Sequence, residues 1–238
     1  MSERIEKLLA RELNRPRSQV KTLLQAKQVT VDGVPAKAGQ QVDANTQTIC
    51  LAGKPIACRA FVYYMLHKPA GVLSATEDKS APTVLDLVPP DLRRKNLFPA
   101  GRLDKDTTGL LLLTDDGALA HRILSPRSHI PKTYIATLDK PVPPEAADAF
   151  AAGMEMDGKI LQPAQLTVLS VTPPCAQVVL RQGIFHQVKR MFARVGCTVT
   201  ALHRSAMGAL PLDPQLPPGA CRALTPEEVA LLTQDLPQ

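Results

Sequence analysis

Ile5, Leu8, Leu9 and Leu13 fall at i, i+3, i+4 and i+8, the spacing of one apolar helix face. Asn14, Pro16 and Ser18 interrupt the pattern, with Ser18 placed to cap a second helix in which Val20, Leu23 and Leu24 repeat the helical spacing. "VTVDG" then alternates as a strand that ends in an Asp32-Gly33 turn, and "QTICL" at 47–51 predicts another strand. Two short helices and a small sheet thus close within residues 1–58, and "GKPIACRA" at 53–60 reads as a connector. Further along, "LLLLT" predicts a buried strand, and the "DDG" that follows it is turn chemistry. Val188, Met191, Phe192 and Val195 form an apolar stripe on a helix that stops at Gly196. No internal repeat appears, and prolines gather in turns such as "KPVPPE" and "PQLPPG".

Composition narrows the classes. Hydrophobic residues make up 45% and charged residues 21%, which suits a globular chain rather than a disordered one. Aromatics are only 3% with no Trp, so a wide aromatic binding platform is excluded and each of the three tyrosines matters. The net charge of +6 favours a polyanionic partner. Arg15, Arg17, Lys21 and Lys27 lie in or beside the second helix, where they can line one phosphate-facing surface or simply form a solvated face. The five cysteines are odd in number, widely spaced and never in a CxxC pair, which argues against disulfides and zinc. No stretch reaches the roughly 20 apolar residues that span a bilayer. "MSERIEKLLAREL" lacks a signal peptide's apolar core, so the expected location is the cytoplasm.

"GRLDKDTTGLLLLTDDG", residues 101–117, concentrates four Asp residues around four leucines. Asp104, Asp106, Thr108, Gly109 and Asp115 mimic the ligand spacing of a calcium loop, yet Pro99 and Gly101 oppose an entering helix and the twelfth position is Asp rather than Glu. Asp115 and Asp116 suit the turn after a core strand, and Asp106 with Thr107 and Thr108 suits local loop hydrogen bonds. Asp104 precedes a buried strand, so its carboxylate needs a cation or hydrogen bonds to stay ionised. On the residues alone, a structural Asp is the simpler reading.

The whole segment resembles the signature of RNA pseudouridine synthases of the small-subunit rRNA type, close to G-R-L-D-x-x-T-x-G-L-L-L-L-T-x-D-G. "LHKPAGVLSAT" resembles that family's first motif with His67 in place of Asn, and "SPRSHIPKTYIATL" carries its K-T-Y element at Lys132 to Tyr134. "GIFHQVKRMFARVG" resembles its third motif, and "LHRSAMGALPLD" the segment that closes the catalytic fold. The N-terminal helix pair followed by V-x-V-D-G resembles the S4 RNA-binding domain.

The resemblance implies an α+β chain: a small S4-like α/β domain at 1–59, then a catalytic domain at 60–238 with a mainly antiparallel mixed sheet. It implies isomerisation of uridine to pseudouridine in ribosomal RNA, without cofactor or metal. Uridine-516 of 16S rRNA is the implied target, with "LHR" and "HQVKRMF" favouring the small-subunit branch over a 23S-directed one. Asp104 is the implied catalytic residue, Lys189 its cationic partner and Tyr134 the tyrosine that stacks on the target base. Arg102 matches the residue that fills the space left by the flipped uridine, a step that costs a few kcal/mol. Arg190 and Arg194 fall on the opposite face of the third-motif helix, and with Arg15, Arg17 and Lys21 are the expected phosphate contacts. Apart from the resemblance, Lys189 reads as a surface lysine and Tyr134 as a packing residue. Gln182 and Ile184 depart from the family pattern, which commonly has an acidic and a basic residue there, and His186 receives no catalytic role. The expected partner of this monomer is 16S rRNA, free or in a partly assembled small subunit. A non-catalytic rRNA-binding assembly factor is the alternative from another class.

Overall fold

The computed structural model describes residues 2–44, 46–56, 58–125 and 130–234. His129, and with it part of "SPRSHIPKTY", lies outside the described residues. The described chain divides into two units, one of residues 1–62 with 89–97, the other of residues 63–88 with 98–238.

The first unit runs β1 (Glu3–Arg4), α1 (Ile5–Glu12), α2 (Arg17–Gln25), β2 (Val29–Val31), β3 (Val34–Pro35), β4 (Gln41–Val42), β5 (Ile49–Leu51) and β6 (Lys54–Pro55). Ile5, Leu8, Leu9, Val20, Leu24, Val29, Val31 and Ile49 form its buried core, which is where the apolar periodicity put them. β2 turns into β3 through Asp32 and Gly33, both at positive φ (52° and 82°), so the twist of the turn matches that of the strands. Two expectations change. α2 begins at Arg17 with Pro16 as its N-cap residue and no side-chain cap, because the rigid φ of Pro16 already sets the entry; Ser18 lies inside the first turn. The supposed connector opens with a strand, since Lys54 and Pro55 pair antiparallel with Leu51 and Cys50. The segment 89–97 joins this unit through Arg94, whose Nη2 donates to Glu12 Oε1 (2.6 Å) and to the Arg59 carbonyl (2.9 Å).

The second unit continues with β7 (Tyr63–Lys68), β8 (Phe98–Ala100), β9 (Thr108–Thr114), α3 (Gly117–Leu124), β10 (Lys132–Leu138), α4 (Ala146–Ala152), β11 (Glu155–Met156), β12 (Lys159–Ile160), β13 (Gln165–Val171), β14 (Pro174–Leu180), α5 (Gln187–Arg194), β15 (Val199–Met207), β16 (Leu210–Pro211), β17 (Cys221–Ala223) and α6 (Pro226–Thr233). Its main sheet runs β13-β14-β10-β15-β9-β7-β17, with β16 beside β15 and β8 beside β9. Every pairing is antiparallel except β15 with β9, so the sheet is mixed but mainly antiparallel, as expected.

The four leucines of β9 are all buried because this strand is central and covered on both faces. Leu110 and Leu112 join Leu119, Ala120, Ile123 and Leu232 in one core cluster. A second cluster gathers Ala136, Phe150, Val178, Val188, Met191 and Phe192 under β10, β14 and α5. Asp116 caps α3 by accepting the Leu119 amide at 2.9 Å and also accepts the Tyr63 hydroxyl at 2.7 Å, so it is structural. Thr108 and Gly109 already belong to β9, which removes the calcium-loop geometry. Among the described residues, no helix is long and apolar enough to cross a membrane.

Gly109 permits the parallel pairing of β9 with β15. Its φ is +108°, and a Cβ there would lie 2.2 Å from the Arg204 carbonyl oxygen and 2.6 Å from the Arg204 nitrogen. Both are backbone atoms in a sheet, so neither can step aside. Gly109→Ala is expected to lower the unfolding free energy by about 3 kcal/mol or more through strain and lost pairing. Denaturant unfolding checks this; a change within about 0.5 kcal/mol, the range of neutral surface substitutions, would refute it.

Candidate active site

Asp104 sits at the end of the loop that enters β9, and "LHKPAGVLSAT" holds that loop from the neighbouring strand. Lys68, at the end of β7, is fully buried. Its Nζ donates to the carbonyls of Pro69 (3.0 Å), Asp104 (3.1 Å), Lys105 (3.1 Å) and Thr107 (3.0 Å). Ser74 Oγ clamps Leu103 by donating to its carbonyl (2.9 Å) and accepting its amide (3.0 Å). The Gly71 amide donates to the Lys105 carbonyl at 2.8 Å. Together these bonds fix the backbone on both sides of Asp104, so its carboxylate projects from a rigid loop. Burial pulls the Lys68 pKa down to about 8, opposed by the charges of Asp106 and Asp104.

The third motif supplies the opposing charge. α5 buries Val188, Met191 and Phe192, which leaves Lys189 at the edge of its apolar stripe with a side chain 23% exposed. Lys189 Nζ lies 3.6 Å from Asp104 Oδ2, but it donates at 2.6 and 2.8 Å to the two oxygens of Asp106. Asp106 is therefore more than a loop residue: it is the closer partner of Lys189, and that hydrogen bond holds its carboxyl below the usual carboxylate range. His186 brings a second base to Asp104, with Nε2 3.6 Å from Oδ1. It reaches there because it precedes α5 in the left-handed region (φ 52°), a strained backbone for a residue with a Cβ.

Asp104, Arg102 and Tyr134 line one cavity of about 460 Å³ that also contains Thr107, Lys132, Arg181, His186 and Arg204. Asp104 is the single carboxylate among its described lining residues, against four Lys and Arg. Tyr134 is half-buried and lies opposite Arg204 in the β10–β15 register, so both project from the same face of the sheet.

Lys189 and Arg190 part company. Arg190 forms an ion pair with Asp157 at 2.7 Å instead of standing free, while Arg194 is exposed. Arg15, Arg17 and Lys21 are exposed in the first unit. Lys68, His186, Lys132 and Arg204 received no catalytic or binding role from sequence reading, and Thr107 received only a local loop hydrogen bond, which its Oγ1, without a partner among the described residues, does not make. Two of them carried a signal: Lys68 ends the strand "YYMLHK" and Arg204 follows Leu202 at period two, so each is a cation on an inward-facing position.

Lys68→Met is expected to leave several buried carbonyls without a donor and to lower stability by about 3 kcal/mol. Thermal or denaturant unfolding measures it, and wild-type stability in the variant would contradict the brace.

Comparisons with known proteins show what the chain as a whole resembles. Residues 62–194 match the RNA pseudouridylate synthase family and residues 3–47 match the S4 domain. An uncharacterized RNA pseudouridine synthase of Bacillus subtilis (strain 168), YtzG, is 44% identical over 97% of this chain and 98% of its own. Ribosomal small subunit pseudouridine synthase A of Yersinia pestis is 42% identical over 95% of this chain and 97% of its own; that of Escherichia coli (strain K12) is 40% identical over 95% and 98%. A solved pseudouridylate synthase superposes with a TM-score of 0.69 at 36% identity, covering 97% of this chain and 99% of that one.

Proposed function

The chain belongs to the RNA pseudouridylate synthase family and carries an S4 domain, and from that premise we propose that it converts one uridine of small-subunit ribosomal RNA to pseudouridine through Asp104. As a member of the family it is an isomerase acting on RNA. The small-subunit target is supported by the names of its relatives from Yersinia pestis and Escherichia coli, ribosomal small subunit pseudouridine synthase A; uridine-516 of 16S rRNA is the finer target that the motif resemblance implies. The observation that carries the assignment is the position of Asp104 as the one described carboxylate of a cationic cavity, on a loop braced by Lys68 and Ser74.

In this reading Asp104 meets the ribose as the glycosidic bond breaks, either by bonding to it or by stabilising its positive charge. Lys189 Nζ and His186 Nε2 each stand 3.6 Å from one of the two Asp104 carboxylate oxygens. Tyr134 stacks on the uracil, a contact worth about 1–3 kcal/mol. Arg102, exposed beside Asp104, occupies the gap in the RNA stack. Arg190 and Arg194 meet phosphates, and the Arg190–Asp157 pair is exposed enough for RNA to displace Asp157. Arg15, Arg17 and Lys21 of the S4 domain dock the RNA through its backbone, which sets affinity and orientation. The enzyme works as a monomer in the cytoplasm, on free RNA or a partly assembled subunit.

Asp104→Asn is expected to abolish pseudouridine formation in 16S rRNA while RNA binding persists, as read by mapping the modified base and by filter binding. Full activity in the variant would remove Asp104 from the chemistry, and wild type that binds without modifying would leave an assembly factor. Replacing Arg15, Arg17 and Lys21 together by Ala is expected to weaken RNA binding and flatten its salt dependence by about three contacts, at roughly 0.9 in log–log slope each. The rate at saturating RNA should stay within a few fold; the opposite split would locate the docking surface elsewhere.

A further inference from the structure

The floor of the cavity contains cations that the roles above leave unused. Arg204 is 2% exposed. Its Nε donates to the Leu110 carbonyl at 2.7 Å, and its Nη2 has no hydrogen-bond partner among the described residues. Thr107 is 1% exposed, lines the same cavity, and its Oγ1 also lacks a partner among the described residues. Lys132 stands two residues from Tyr134 on the same strand face, its Nζ donating to the Ile130 carbonyl among the described residues. Burial and then the charge of Arg204 draw its pKa down to about 8. A buried guanidinium without a carboxylate is costly unless something negative arrives.

Resting on the reading that the enzyme isomerises uridine, we propose that Arg204 and Thr107, with Lys132 beside them, form an anion site for the departing uracil base. When the C1′–N1 bond breaks, its electron pair stays on the base, and the negative charge spreads over N1, O2 and O4. Asp104 faces the positive ribose; Arg204 and the Thr107 hydroxyl face the negative base. The base turns, C5 bonds to C1′, one proton leaves C5 and one is taken up at N1, so product and substrate are isomers. Donors fixed in a dry site before the charge forms need no reorganisation as it develops. Gly109 makes the arrangement possible, because only its missing Cβ lets β9 approach the Arg204 backbone.

A structural Arg204, bracing β9 through Leu110, would give a different result from a charge-stabilising one. The test uses single-turnover reactions of the full chain at saturating RNA, with uridine or 5-fluorouridine at the target position. Fluorine makes the base a more stable anion, so it lessens the need for protein donors. Arg204→Met is expected to slow loss of uridine about a hundredfold, with RNA affinity within a few fold, and Arg204→Lys to recover part of that. On 5-fluorouridine the defect should shrink at least tenfold. Thr107→Val should show the same pattern in milder form. If Arg204→Met does not fold, Arg204→Lys and Thr107→Val carry the comparison. Equal defects on the two substrates, no defect, or a defect confined to RNA affinity as for a phosphate contact would overturn the anion site. Wild type that leaves uridine unchanged would overturn the enzyme reading as well, whereas active wild type with an inactive Asp104→Asn isolates the failure to this inference.

Discussion

The architecture of the candidate site depends on one buried ammonium. Lys68 Nζ reaches four main-chain carbonyls, three of them in the segment 104–107. A loop of this kind has no ladder to satisfy its backbone, and buried carbonyls without donors cost about 1–3 kcal/mol each. One cation that serves four of them converts a loop into a fixed platform. It also places an amine beneath the Asp104 backbone, and the charges of Asp106 and Asp104 oppose the burial that pulls its pKa down. Ser74 repeats the device on the other side of Asp104 by serving both polar groups of Leu103.

The sheet then determines what the platform faces. β10 and β15 are antiparallel neighbours, so Tyr134 and Arg204 emerge side by side, and β9 is joined to β15 through Gly109. Three separated stretches of sequence thus meet at one face: the loop before β9, the strand with Tyr134, and the strand with Arg204. α5 closes the site from a fourth stretch, because its apolar stripe docks on the core and leaves Lys189 at the rim.

Much of this was legible in the chain. Period 3.6 located α1, α2 and the buried face of α5, and the run of leucines located β9. These signals are strong because each element buries one continuous face or two. The misses share a physical cause. Whether Ser18 caps a helix, whether Lys54 pairs with Leu51, and whether Lys189 lies nearer Asp104 or Asp106 depend on backbone direction over a few residues, which composition does not encode. Lys68 and Arg204 were passed over for another reason, despite the signal of their period. A charged residue in a strand reads as solvent-facing unless its buried partners are known, and those partners are main-chain carbonyls that every sequence possesses.

The division of labour between Asp104 and Asp106 follows from exposure. The Asp106 side chain is 72% exposed and takes both short bonds from Lys189, whereas that of Asp104 is 26% exposed and keeps Lys189 and His186 at 3.6 Å. Under the proposed assignment this longer separation is useful. A carboxylate locked in a short bidentate pair would have its lone pairs committed, and reaching the ribose would require breaking that pair in a medium of low dielectric. With Asp106 taking both short bonds, Lys189 stays near, and the Asp104 oxygens stay out of a short ion pair. The second acid of "DKD" thus frees the first for chemistry, which gives the paired carboxylates of that segment distinct roles without a metal loop.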